Sequence, residues 1–299
     1  MDSITLNTPV NLIYCPICGA ANDQRHRLGY YVKCTACKVA FRYPRESATE
    51  LEEYWQTAFW TEEEIEKRKN REPVFRDAFT LLQQQKPQGG AVLDIGCGIG
   101  TFLSVCRAGG WDVTGVEPST TACQVAKREY DLDLINESFS SAMFAGKKFD
   151  AIFAAQVLHH LPDPAAFAAD IDRVLAPNGV VILRTPNLIP LEVSLFLQRL
   201  LRWEKEFFCG PALYTFHPQT LSLLFERLGY REVTFVNSRP YLEMPKAPWQ
   251  PGQSMRKNVR RLVVTTLKLI GYSAVELVHK LSDGRVVIGP SIFVVARKQ

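Results

Sequence analysis

Between residues 91 and 184 the chain alternates strand-length apolar runs with helix-length amphipathic ones, and that alternation admits few folds. Ala91-Val92-Leu93-Asp94-Ile95 reads as a buried strand, Gly96-Cys97-Gly98-Ile99-Gly100 as a glycine loop and 101–108 as the helix that follows. The pattern then repeats: 112–117 reads as a second strand, 119–130 as a helix opened by a Ser cap, 132–137 as a third strand and 149–155 as a fourth. A helix over 163–175, ended by Pro177-Asn178-Gly179, precedes a fifth strand over 180–184. Strands separated by helices run parallel with both faces covered, so the expected fold class is α/β, a doubly wound sheet. In such a sheet a ligand binds beyond the carboxyl ends of the strands, where the strand order reverses.

The loop chemistry narrows the ligand. Its spacing is GxGxG, with Thr101 where a dinucleotide fingerprint has its third glycine and Asp94 two positions before the first. An anion beside a pyrophosphate is unfavourable, whereas an anion beside an ammonium or sulfonium group is favourable, which points away from a nicotinamide cofactor. Glu117 ends the second strand twenty-one residues after Gly96, where a carboxylate can accept both hydroxyls of a ribose. The plainer reading of Glu117 is an exposed carboxylate in the turn before Pro118.

Eight cysteines add a second constraint. Cys15-Pro16-Ile17-Cys18 and Cys34-Thr35-Ala36-Cys37 are two CxxC pairs with fifteen residues between Cys18 and Cys34, a spacing that suits one tetrahedral Zn2+ held by four thiolates. Four thiolates leave no open coordination position, so the expected role is structural. The segments 27–32 and 39–43 alternate like short strands, and a zinc ribbon over 1–45 is too small to hold itself together without metal. Cys97, Cys106, Cys123 and Cys209 lack ligand spacing and read as small apolar fillers.

A helical connector is expected over 46–88, with Leu51, Tyr54, Trp55, Phe59 and Trp60 either in a core or covering a ligand mouth. The Pro- and Gly-containing stretch 86–90 is read as the boundary of a main domain over 89–299. The composition, 46% hydrophobic and 22% charged, excludes disorder, and a net charge of +4 is too small to demand a nucleic-acid or anionic-membrane partner. The first fourteen residues lack the basic start and apolar run of a secretory signal, so a cytoplasmic location is expected. The apolar runs at 180–201 and 262–278 are interrupted by charge or proline, and no transmembrane span is expected.

Val92–Gly100, Gly115–Ser119, Phe149–Ile152, Val157–Pro164 and Val174–Gly179 together resemble, in order, the successive motifs of class I S-adenosylmethionine-dependent methyltransferases. The resemblance covers about residues 90–236 and implies a Rossmann-like fold and S-adenosylmethionine as cofactor. The run 216–221 through Leu228-Gly229-Tyr230 is similar to the branch containing ubiquinone-type O-methyltransferases and many small-molecule and glycan methyltransferases, some of which carry a CxxC…CxxC module in front. The resemblance places Asp94, Gly96, Cys97, Gly98 and Gly100 around the methionine part of the cofactor. It places Glu117 and Pro118 at the ribose, Glu137, Ser138 and Phe139 at the adenine, and Gln156 at the methionine or the reacting centre. Ubiquinone-type relatives carry carboxylates where Gln156 and His159 stand, and these hold a divalent ion; without them no magnesium site is implied and quinone-precursor methylation is put in doubt.

Methyl transfer from a sulfonium requires in-line positioning and exclusion of water more than strong catalytic groups. If the acceptor is a hydroxyl, His160 or His159 is the candidate base, because imidazole titrates near neutral pH; otherwise they pack. Tyr214 and His217 are polar candidates for the acceptor wall, with Ala212 where relatives carry a histidine. Insertions at 187–209 and 239–290 are read as pocket-shaping segments, the first a possible lid, the second carrying a basic-amphipathic stretch, 256–281, that either packs on the domain or touches lipid. The expected activity is methylation, chiefly at oxygen, of a small molecule or a glycan or lipid-linked precursor. RNA methylation guided by the ribbon, and a non-catalytic cofactor-binding role, are the alternatives. The weak basic excess and the absence of an Asn-Pro-Pro-Tyr-like loop at 155–158 make nucleic acid a poor partner.

Overall fold

The Cys-rich start and the strand–helix alternation pack into one another in the computed structural model, which describes residues 12–22, 27–28, 30–44, 59–200, 212–239 and 286–298, with isolated residues between 254 and 282. At the amino-terminal end, β1 (Ile13–Tyr14) pairs with β2 (Ala21–Asn22), and β3 (Arg27–Leu28), β4 (Tyr31–Lys33) and β5 (Ala40–Arg42) form an antiparallel meander. Two helices follow, α1 (Glu62–Lys69) and α2 (Glu72–Gln85). Thr61 caps α1 by accepting from the Glu64 N–H. Acidic residues fill its first turn and basic residues its last, the arrangement that the helix dipole favours.

The main sheet is built from β6 (Ala91–Ile95), β7 (Asp112–Val116), β8 (Phe149–Ala155), β9 (Leu175–Pro186), β11 (Glu232–Ser238) and β12 (Ser291–Arg297). Its order is β11-β12-β9-β8-β6-β7, parallel from β9 to β7 and antiparallel at β12 and β11. Helices α3 (Thr101–Ala108), α4 (Thr120–Tyr130) and α5 (Pro164–Val174) connect the parallel strands, α6 (Leu188–Leu200) follows β9, and α7 (Pro218–Glu226) precedes β11. Between α6 and α7 the two-residue β10 (Tyr214–Thr215) leaves the main sheet and pairs with β5 of the amino-terminal meander. The chain passes from β6 to β7 on one side and returns to β8 on the other, so the order reverses at the carboxyl end of β6.

Two expectations need correction. The third strand over 132–137 is reduced to one bridge, Ile135 to Val116, at the sheet edge. Asp131, Asp133, Asn136 and Glu137 are exposed there, and among the described residues no further strand lies outside to pair with. The helix over 163–175 stops at Val174, and Pro177-Asn178-Gly179 is an irregularity near the start of a longer β9, with Leu175 already opposite Phe149. The stretch 86–90 is a loop between α2 and β6. Val74, Ala78 and Leu82 of α2, spaced four apart, share an apolar cluster with Val92, Phe102, Phe153 and Phe293. A larger cluster joins Ile13, Val32 and Phe41 of the meander to Leu213, Phe216, Leu221 and Phe225. No described helix is long and apolar enough to cross a membrane.

Candidate active site and metal centre

The glycine loop turns sharply off β6 because Gly96 and Gly98 take φ of +67° and +57°, a left-handed backbone that side chains resist. The N–H groups of Gly96 and Cys97 both donate to the Val116 carbonyl, at 2.8 and 3.2 Å, which ties the loop to the end of β7. A Cβ on Gly96 would lie 2.5 Å from Val157 Cγ2, and one on Gly98 3.0 Å from Trp60, so neighbours close over the loop from two sides.

Just past β7, Glu117 is buried with its carboxylate already aimed: Oε2 accepts from the Gly98 N–H at 2.9 Å and Oε1 from the Ser119 N–H at 3.0 Å. Burial pushes its carboxyl up from the ordinary value, opposed by those two N–H groups and by Arg68. Asp94 is buried as well, and its Oδ1 has no hydrogen-bond partner among the described residues. Desolvation, with Glu117 adding repulsion, holds the Asp94 carboxyl well above the usual carboxylate range. A buried carboxylate oxygen with no donor is costly, and it is complementary to a cationic ligand group.

A cavity of about 380 Å³ opens between the ends of β6, β7 and β8; Glu117 lines it, while Asp94 is buried beneath the loop and is not among the lining residues. Gly96, Glu117, Pro118, Ser138, Phe139, Gln156 and His160 are among the residues that line it. Gln156 has φ +62°, strained for a side-chain-bearing residue, and its N–H is anchored on the Arg184 carbonyl at 2.8 Å. Phe59 and Trp60 line the cavity, and Trp60 also packs against the buried cluster of Ile99, Ala122 and Val125, so the two readings of the aromatic group meet in these residues; Leu51, Tyr54 and Trp55 lie outside the described residues.

Other candidates are elsewhere. Cys97, Gly98 and Gly100 support the loop from outside the lining, and burial together with Asp94 and Glu117 keeps the Cys97 thiol protonated. Glu137 is exposed and does not line the cavity, although Ser138 and Phe139 directly after it do. His159 is buried behind His160, ring centroids 3.9 Å apart, and desolvation drives its pKa well below the usual value. It does not line the cavity. Tyr214 is buried and donates to the Pro162 carbonyl at 2.9 Å, while His217 caps α7 by accepting from the Gln219 N–H at 3.1 Å, so neither forms an acceptor wall. The described part of the 187–209 insertion does not line the cavity: Leu188 and Leu191 pack on Tyr31 and Ala40. Cys209 lies outside the described residues.

Sequence reading missed Arg68. It is the one permanently charged cation among the described residues lining the cavity, held by Glu64 at 3.0 Å and lying 5.0 and 5.3 Å from the ring centroids of Phe59 and Trp60. The available signal was the i, i+4 spacing of Glu64 and Arg68 directly after two aromatics.

The four amino-terminal cysteines converge. Their sulfurs lie within 4.8 Å of one another, with 3.7 Å between Cys15 and Cys37 and 3.5 Å between Cys18 and Cys34. A tetrahedral Zn2+ with Zn–S bonds of about 2.3 Å separates its sulfurs by roughly 3.8 Å, so the four fit that ion. Gly19 and Lys38 follow their CxxC pairs with φ of +76° and +70°, and their N–H groups donate to the Cys15 and Cys34 carbonyls, the same turn made twice.

Comparison with known proteins agrees with this geometry. A family described as "Methyltransferase domain" matches residues 67–234, more than half of the chain. The ubiquinone biosynthesis O-methyltransferase of Pasteurella multocida is 32% identical over 127 residues, covering 38% of this chain and 52% of that protein. The enzyme of the same description from Alkalilimnicola ehrlichii is 32% identical over 109 residues, covering 34% and 44%. The chain thus spans about half the length of the curated relatives it matches. Among solved structures, magnesium protoporphyrin IX methyltransferase from Synechocystis, with bound S-adenosylhomocysteine, superposes with a TM-score of 0.52 at 13% identity, covering 85% of this chain and all of that one. Phosphoethanolamine N-methyltransferase 2 of Haemonchus contortus, in complex with S-adenosylmethionine, gives 0.50 at 18% identity, covering 87% and 61%. At such identities these structures share the fold.

Proposed function

The chain belongs to the methyltransferase-domain family, and on that premise we propose that it methylates an oxygen of a small-molecule acceptor, glycan and lipid-linked precursors included, using S-adenosylmethionine. The observation that carries this reading is the pair of buried carboxylates at the point of strand reversal, Asp94 with an oxygen that nothing described satisfies and Glu117 with both oxygens oriented by backbone N–H groups. The pair fits a ligand with a cationic end and a ribose. In this reading Asp94 holds the ammonium of the methionine moiety over Gly96, Arg68 its carboxylate, Glu117 the ribose hydroxyls, and Ser138 and Phe139 the adenine.

When bound, the cofactor supplies an electrophilic methyl group on sulfur. The chain's own contribution is then orientation and dryness: Phe59 and Trp60 cover the cavity, and Gln156, fixed in its strained turn, faces the reacting end. His160, at the cavity wall, accepts the proton that an acceptor hydroxyl loses, with His159 packed behind it as a neutral support. The curated relatives are named as O-methyltransferases, which supports oxygen as the methylated atom. The four clustered thiols hold a structural Zn2+ in a ribbon over 1–45, joined by the connector 46–88 to the domain 89–299.

Exposed Met255, Val259, Leu277 and Leu281, with Arg256 and Lys280 among them, support peripheral contact of 256–281 with an anionic lipid surface from the cytoplasmic side. The decisive experiment incubates the protein with methyl-labelled S-adenosylmethionine and separate polar-metabolite, lipid and RNA fractions. Label in the metabolite or lipid fraction is expected. Label confined to RNA, or tight cofactor binding with no labelled product in any fraction, overturns the reading.

A further inference from the structure

The strand that links the catalytic body to the ribbon is also the strand that holds one wall of the cavity. Residues 160–162 line the cavity, and the segment 159–162 is held by β10 and the residue before it: the Leu213 N–H donates to the His159 carbonyl at 2.8 Å and the Tyr214 hydroxyl to the Pro162 carbonyl at 2.9 Å. Strand β10 has its other edge in the ribbon. Tyr214 and Thr215 lie opposite Phe41 and Ala40, the Arg42 N–H donates to the Leu213 carbonyl at 2.8 Å, and the Tyr31 hydroxyl donates to the Ala212 carbonyl at 2.7 Å. The knuckles themselves dock on α7, directly after β10: Thr220 donates to the Cys37 carbonyl at 2.6 Å and Arg227 to the Ile17 carbonyl at 2.7 Å.

A two-residue strand cannot hold its place by its own pairing. Here it is clamped between the ribbon on one edge and the cavity wall on the other, with Tyr214 wholly buried and stacked on Phe216 at 5.7 Å. We propose that Tyr214 is a positioning residue for the His160–Pro162 wall, and that the ribbon, through β5 and Tyr31, is the brace that keeps it there. Cavity and ribbon are then linked. By reciprocity, a ligand that orders the wall tightens the ribbon, and a loosened ribbon weakens the ligand.

The ligand half of this inference rests on the reading of the cavity as a nucleoside site; the brace itself does not. The test uses the full-length protein, zinc-loaded, with Tyr214→Phe and Tyr31→Phe, and S-adenosylhomocysteine as probe. The first variant removes the hydroxyl that bonds the wall, and the second removes the ribbon hydroxyl that bonds the Ala212 carbonyl. In both, amide exchange over 157–163 is expected to speed up at least fivefold while exchange in β6 and β8 stays at the wild-type rate. S-adenosylhomocysteine affinity should fall three- to tenfold with one zinc per chain retained, and the probe should slow zinc loss to a chelator in the wild type more than in either variant. Wild-type exchange over 157–163 in both variants overturns the brace. If Tyr214→Phe does not fold, Tyr31→Phe decides alone. Failure of the wild type to bind S-adenosylhomocysteine instead sinks the cavity reading, and the exchange measurements still judge the brace.

Discussion

Asp94 works against the fold that contains it. Its carboxyl is pushed well up by burial and by Glu117, so the folded state holds that proton more tightly than the unfolded chain does. The sign follows: its contribution to stability is fully present below the ordinary carboxylate value and is lost as pH rises toward the raised one. Asp94→Asn should therefore raise the melting temperature of the ligand-free protein at neutral pH by the equivalent of about 1–3 kcal/mol and flatten its decline as pH rises above the ordinary carboxylate value. The same substitution should weaken S-adenosylhomocysteine binding, as titration calorimetry would show; a variant that is less stable, or binds as well, contradicts the assigned role. Glu117→Ala removes an acceptor that two backbone N–H groups have already oriented, and it should cost about 1–3 kcal/mol of the same affinity. Both carboxylates were legible in the sequence from their spacing about the glycines. Arg68 was not, because a cation on a short exposed-looking helix reads as an ordinary i, i+4 pair until Phe59 and Trp60 are seen to fold it over Gly98.

At the scale of elements, the loop after β6 depends on backbone shape more than on side chains. Gly96→Ala places a Cβ 2.5 Å from Val157 Cγ2 in a left-handed conformation, and a loss of about 1–3 kcal/mol in stability is expected by denaturant titration, together with loss of cofactor affinity. Unchanged values in that variant would mean that the loop relaxes freely and does not hold the site. The central strands were readable because a strand buried on both faces is a near-continuous apolar run, as in Ala151–Ala155 within β8. The edge was misread for the converse reason. Leu132 and Ile135 carry an apolar signal, but a strand needs a partner along its length, and Val116 offers one bridge only. Helix α2 lies in the expected connector, and nothing local reveals that its Val74, Ala78 and Leu82 share an apolar cluster with the main sheet.

At the scale of the whole molecule, the described residues of the ribbon and of the main sheet share a core. The ribbon's Ile13, Val32 and Phe41 share an apolar cluster with strands and helices as distant in sequence as Phe225 and Ile292. Zinc removal by a chelator, or Cys34→Ser, should accordingly lower the melting temperature of the entire protein in a single calorimetric transition, with one zinc per chain in the wild type by elemental analysis. Two well-separated transitions, the larger one unmoved by zinc, would show that the ribbon folds by itself on an independent body. The substitution should weaken, without abolishing, S-adenosylhomocysteine binding, since Asp94, Glu117 and the glycine loop stand on the main sheet.

Local chemistry is written into the order of residues. Two CxxC pairs, a GxGxG turn with a carboxylate before it and another at the end of the next strand, and strand–helix alternation are all short-range patterns, so the fold class, the four thiols and both carboxylates followed from the chain alone. The tertiary structure decided what long-range contact alone can decide. It put His160 at the cavity and His159 behind it, set Tyr214 and His217 to bonding and capping, and spent β10 on joining ribbon to wall. A residue's spacing fixes which face of its own element it occupies, but what that face meets depends on segments 100 or more residues away.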